Sequence, residues 1–228
     1  MKKTITVLAS LLSFALPTAY AAEVRLDGAG FDIIYDDSLL GLFGTPALLG
    51  NSLVFTPTTF SAQSTGSAWD LANSTIGLTL VADSGFTLAD ANLVERGDYL
   101  KFGASSTVFV AGQTRSYDFR TPAIETTALI SGAEPTVLNV HDVPVITNWA
   151  AASSQTFAAG ATEVHYTIQN LLAANAGGVG GLAFIEKKYV SLSVDTLIAS
   201  AVPEASQYIM LLAGLGLIGG LCKRRRTV

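Results

Sequence analysis

The chain has 228 residues, 50% of them hydrophobic, with a formal net charge of −5, which is room for one domain of ordinary size plus processed ends. Between those ends the basic residues are the scattered Arg25, Arg96, Lys101, Arg115, Arg120, Lys187 and Lys188, outnumbered by acidic ones. Without a basic stripe, nucleic acid and anionic lipid are poor partners. The single cysteine, Cys222, rules out an internal disulfide and a thiolate zinc site.

Residues 1–21 read as a signal peptide. Lys2 and Lys3 supply a positive start, and Val7–Leu16 is an apolar run too short to span a bilayer. Pro17 breaks the helix, and Ala19-Tyr20-Ala21 places small residues where a signal peptidase reads them. The expected cut follows Ala21, and the mature chain is exported.

Residues 22–201 show the period of strands, not of helices. Val164, Tyr166 and Ile168 share one face while Glu163, His165 and Thr167 share the other. Ile76, Leu78 and Leu80 alternate in the same way, as do Val190, Leu192 and Val194. Further strands are predicted at Phe31–Tyr35, Leu53–Phe60, Tyr99–Phe102, Thr107–Val110, Arg115–Arg120, Thr136–Val140 and Val143–Thr147. Turns are expected at Asp83-Ser84-Gly85, Arg96-Gly97-Asp98, Gly103-Ala104-Ser105 and Ala111-Gly112-Gln113, and a long loop at Asn175–Gly181. Ser67–Ala72 and Ile168–Ala174 could each hold a short helical turn. The expected fold is all-β, a β-sandwich or jelly-roll-like domain of about 180 residues, enough to build a core unaided.

Candidate chemistry in this domain is sparse. His141 and His165 are the only histidines. His141-Asp142 has the order of a base and its orienter, but no Gly-x-Ser-x-Gly accompanies it, and His165 reads as a solvated strand residue. Asp32, Asp36 and Asp37, with Asp27 nearby, are a weak calcium option; their spacing matches no calcium loop, and an acidic edge strand that resists aggregation explains them equally. Glu95 and Asp98 would serve a secreted hydrolase only if they faced each other across a cleft. Trp69 and Trp149 could stack on sugar rings in a carbohydrate-binding module, or fill a sandwich core. No catalytic residue, metal site or cofactor is assigned.

The tail has three parts in fixed order: Val202-Pro203-Glu204-Ala205, the uncharged apolar run Tyr208–Cys222, and Lys223-Arg224-Arg225-Arg226. As a helix that run covers only about 22 Å of about 30 Å of hydrocarbon, so flanking residues and snorkelling arginines must complete it. The consecutive cations act as a stop and stay cytoplasmic, as do Lys2 and Lys3, which leaves everything between the two apolar segments outside.

This arrangement resembles the PEP-CTERM sorting signal of Gram-negative bacteria, in which a Val-Pro-Glu-Pro element, a Gly/Leu-rich helix and an Arg-rich end are recognised by an exosortase, a transpeptidase-like membrane protease. Val202, Pro203 and Glu204 match the element, and Ala205 stands where Pro is usual. Leu93–Leu100 and Glu186–Leu192 also resemble segments of PEP-CTERM proteins of unassigned function. The resemblance implies an exported protein, held briefly in the inner membrane by residues 202–228 and then released to the cell surface or extracellular matrix. Its processing partners are signal peptidase and an exosortase, and exopolysaccharide is a candidate partner of a structural or interaction domain. Pro203 keeps its backbone out of strand and helix interiors and so within a protease's reach. Replacing Pro203 and Glu204 with Ala should leave full-length protein in the membrane fraction. The intact mass of wild-type protein from an exosortase-bearing host should lack the final residues; mature protein that still carries Arg224–Arg226 would show the tail to be only an anchor.

Overall fold

Period-two alternation becomes two antiparallel sheets packed face to face in the computed structural model, which describes residues 23–120, 125–132, 145–199 and 210–215. The strands are β1 (Glu23–Asp27), β2 (Phe31–Asp36), β3 (Ala47–Leu49), β4 (Ser52–Phe55), β5 (Ser61–Ser64), β6 (Asp70–Ala82), β7 (Phe86–Phe102), β8 (Thr107–Asp118), β9 (Glu125–Leu129), β10 (Ser131–Gly132), β11 (Ile146–Ala161), β12 (Glu163–Asn175) and β13 (Leu182–Ile198). One sheet has the order β1-β2-β6-β12-β8-β9. The other runs β10-β11-β7-β13-β4-β3, with β5 also paired to β13. The signal peptide, His141, the expected strand at Thr136–Val140 and the sorting element lie outside the described residues. Of the expected tail helix, residues 210–215 are described and are helical. Among the described residues no helix is long and apolar enough to cross a membrane.

From β6 to β8, and again from β11 to β13, the chain passes from one sheet to the other at each connection. The core between the sheets is therefore built from facing rows. Ile76, Leu78 and Leu80 of β6 and Val164, Tyr166 and Ile168 of β12 line one side; Ala91 and Leu93 of β7 and Val190, Leu192 and Val194 of β13 line the other. Phe43, Phe55 and Phe60 form an aromatic cluster, with the Phe55 and Phe60 ring centroids 5.6 and 5.7 Å from that of Phe43. The turns expected at Asp83-Ser84-Gly85 and Gly103-Ala104-Ser105, and the loop at Asn175–Gly181, are present.

The structure corrects the sequence reading at several positions, among them Ser67–Ala72, which holds bends and the start of β6 rather than a helical turn. Arg96-Gly97-Asp98 is not a turn but the interior of β7, and Ala111-Gly112-Gln113 is the interior of β8. In both, glycine serves close approach rather than reversal. A Cβ on Gly97 would lie 1.9 Å from the Glu186 carbonyl oxygen and 2.7 Å from Trp149 Nε1. One on Gly112 would lie 2.4 Å from the Gln169 oxygen and 2.8 Å from Ile130 Cδ1. Ile168–Ala174 is strand, because it continues the ladder of β12 with β6 and β8. The strand expected over Leu53–Phe60 ends at Phe55, and Phe60 leads into β5.

Gly97→Ala should destabilise the domain by about 3 kcal/mol, since the added methyl meets a backbone oxygen rather than a movable side chain. Gly66→Ala, with nothing near its Cβ position and an ordinary backbone angle, is the control and should be close to neutral. Urea unfolding of the two variants beside wild type measures both.

Candidate functional site

The inward rows of β7, β12 and β13 are apolar except at one level. The row Ala91, Leu93, Glu95, Gly97, Tyr99 puts Glu95 in the core, and the row Val164, Tyr166, Ile168, Asn170, Leu172 does the same for Asn170. On β13, Ala183, Ile185 and Lys187 face inward; a register shift between Lys187 and Tyr189 then changes the phase so that Val190, Leu192 and Val194 face inward. Lys187 is thus the last inward residue before the bulge, opposite Gly97 of β7. Its backbone N–H donates to the Phe60 carbonyl at 2.9 Å.

These three side chains form a closed ring of hydrogen bonds across the sandwich. Lys187 Nζ donates to Glu95 Oε2 at 2.5 Å and also to Asn170 Oδ1. Asn170 Nδ2 donates to Glu95 Oε1 at 2.7 Å. Lys187 is 1% exposed, and Glu95 and Asn170 are 0% exposed. Two aromatic faces close over the amine, the Phe60 ring with its centroid 5.2 Å from Nζ and the Trp149 ring at 5.6 Å. Trp149 lies across Gly97, its register partner on β7, and its Nε1 donates to the Glu186 carbonyl at 3.1 Å. Burial pushes the Lys187 amine below the usual lysine range, and the Glu95 charge only partly opposes that. Nearby in the row of Asn170, burial pushes the Tyr166 hydroxyl up to about 12.

Chemically, the arrangement brings a desolvated amine, a carboxamide and a bridging carboxyl group into one dry chamber. The signal for it is present in the sequence, because Glu95 follows Leu93 and Asn170 follows Ile168 at period two. Reading a turn at Arg96-Gly97-Asp98 and a helical turn at Ile168–Ala174 hid both rows.

The predicted candidates are mostly elsewhere. Trp149 is a core residue, while Trp69 is 50% exposed with its ring edge against Phe109 at 5.6 Å. Glu95 and Asp98 point to opposite faces of β7: Glu95 enters the core, and Asp98 accepts from Lys188, which also pairs with Glu186. His165 is exposed, beside a groove lined by Arg115, Tyr117 and Glu125. Asp32 is paired with Arg25, and Asp36 accepts from Ser38 at the start of a 3-10 turn. Asp32 and Asp36 stand about 13 Å apart along β2, and the described residues hold no group of three or more His, Cys, Asp or Glu able to bind a metal ion.

The family model for the PEP-CTERM protein-sorting motif matches residues 201–226. Comparison with curated proteins finds no match. Among solved structures, a mutant of the family 29 carbohydrate binding module CBM29-2 is similar at 10% identity and a TM-score of 0.18, over 65% of this chain and 74% of that one. The enzymatically active domain of tailspike protein 4 from Bacteriophage CBA120 is similar at 13% identity and a TM-score of 0.19, over 74% of this chain and 18% of that one.

Glu95→Gln removes the one carboxylate that Lys187 touches among the described residues and should lower stability by about 3 kcal/mol. The triple variant Glu95→Leu, Asn170→Leu and Lys187→Met replaces the whole ring by apolar groups, leaves no member of it buried without a partner, and should recover most of that loss. Urea midpoints of the three proteins decide it; a triple variant as weak as the single one would show that the charges are not the issue.

Proposed function

We propose that this is a non-enzymatic exported protein, sorted by an exosortase, whose β-sandwich has a structural or interaction role at the cell surface or in the extracellular polysaccharide matrix. The observation that carries the reading is the position of the sorting motif. The last strand, β13, ends at Ile198, and the matched motif begins at residue 201. The folded domain and the processing signal are thus neighbours in the chain, with only a few residues between them.

The order of events follows. Signal peptidase removes residues 1–21 and the domain folds outside. The Tyr208–Cys222 run lodges in the inner membrane behind Lys223–Arg226. An exosortase then cuts within Val202–Ala205 and frees a domain whose described core needs no disulfide. The outer face of the sheet around β12 supports an interaction role: Thr75, His165, Thr167, Gln169 and Arg115 face outward there as a polar surface.

A carbohydrate-binding role is the second reading, and Trp69 is what favours it, since a half-exposed indole braced by Phe109 offers a face for a sugar ring. A periplasm-active reporter fused after Ala201 should be active, and one fused after Val228 should be silent; the reverse would overturn the export topology. In a glycan screen of the mature protein, binding that disappears with Trp69→Ala would establish the second reading. No binding by wild type would leave the structural role.

A further inference from the structure

The geometry points to a covalent bond inside the core: an amide between Lys187 Nζ and Asn170 Cγ, formed by the protein on itself with release of ammonia and with Glu95 as the proton carrier. Three observations carry it. First, Nζ is in hydrogen-bond contact with Asn170 Oδ1, one carbonyl bond of about 1.2 Å from Cγ. Second, the two oxygens of Glu95 are divided between the nucleophile and the leaving group, Oε2 at 2.5 Å from Lys187 Nζ and Oε1 at 2.7 Å from Asn170 Nδ2. Third, all three side chains are sealed from solvent beneath Phe60 and Trp149, so water does not compete for the carbonyl carbon.

The step balances without any co-reactant. Glu95 takes one proton from the Lys187 ammonium, leaving a neutral amine and a neutral carboxyl group. The Nζ lone pair attacks Asn170 Cγ, and the carbonyl π pair moves onto Oδ1. Glu95 gives its proton to Nδ2 and takes one from Nζ. The pair on Oδ1 re-forms the carbonyl, the Cγ–Nδ2 bond breaks, and ammonia departs. The products are a secondary amide, a protonated Glu95 and one ammonia, with no change in total charge. A low-dielectric site favours the neutral amine that must attack, and burial lowers the Lys187 pKa in that direction. Holding the groups in contact supplies an effective concentration of about 10⁵ M or more, the kind of advantage that an unreactive carboxamide needs. The reaction happens once per chain, and its product ties β12 of one sheet to β13 of the other in a domain without a cysteine to do so.

The test is a peptide map of the purified mature protein, digested under denaturing conditions after glutamate. Cuts after Glu163 and Glu186 put Asn170 and Lys187 on different peptides. We expect one branched species, residues 164–186 joined to the peptide that begins at Lys187, lighter than the sum of the two by one ammonia. Glu95→Gln should give the two linear peptides instead. Asn170→Asp should give a branched species of the same mass as wild type, now by loss of water. Two unmodified linear peptides from folded wild-type protein would overturn the proposal, whether or not the variants fold, because the wild-type map alone decides.

Discussion

Everything around the centre of this sandwich is arranged to enclose one lysine side chain. Lys187 enters the space between the sheets from β13, and four separate devices accommodate it. Gly97 on β7 gives up its side chain so that Trp149 can cross the strand and lie over the amine. The Trp149 indole N–H is held by the Glu186 carbonyl, so the ring is fixed by the residue next to the lysine it covers. The bulge after Lys187 restores apolar residues to the core face at Val190, Leu192 and Val194. Phe60 closes the other side and accepts the Lys187 backbone N–H. An ordinary core would need none of these.

Charges in such a place are costly, since desolvating each ion takes several kcal/mol that mutual attraction only partly returns. What the cluster contributes to the fold is register. Glu95, Asn170 and Lys187 sit on different strands in both sheets, and a slip of one residue in any of them would move its polar group to the outer face. The other two would then be left in the core without partners. Leu, Ile and Val at the same positions would tolerate several alternative alignments. A ring of three hydrogen bonds, each group both needed and satisfied, tolerates one.

The strand pattern was legible because one face of each sheet is wet. Where the alternation is strict, as in Thr162–Ile168 or Val190–Val194, the inward residues could be named from the sequence. The sorting motif at residues 201–226 was legible for a different reason, since such a signal acts as linear sequence and needs no fold to be read. The centre was not legible because its residues look like loop chemistry. Arg96-Gly97-Asp98 has the composition of a turn, and only the approach of Trp149 and the Glu186 backbone explains glycine there. Asn170 interrupts an apolar row, which reads as a strand ending. Lys187 and Lys188 look alike in sequence, yet one is sealed in the core and the other is bonded on the outer face to Asp98 and Glu186. The bulge between Lys187 and Tyr189 decides which is which, and it depends on the register with β7 that no local pattern states.

The place of the cluster in the chain also bears on how the domain meets a load. In the order of events proposed above, the tail would hold the unprocessed protein to the membrane, and a pull on it would enter the fold at the end of β13. β13 lies inside its sheet, between β7 and β4, so pulling on its C-terminal end shears a long ladder rather than peeling an edge. The ladder ties β13 only to strands of its own sheet. Lys187 reaches beyond that sheet, through Asn170, to β12, and β12 is itself held on both sides by β6 and β8. The polar ring thus stands on the strand that takes up the tension and connects it to the middle of the opposite sheet. A bond there, hydrogen-bonded or covalent, distributes a pull on the tail over both layers of the sandwich; the same bond between two edge strands would not.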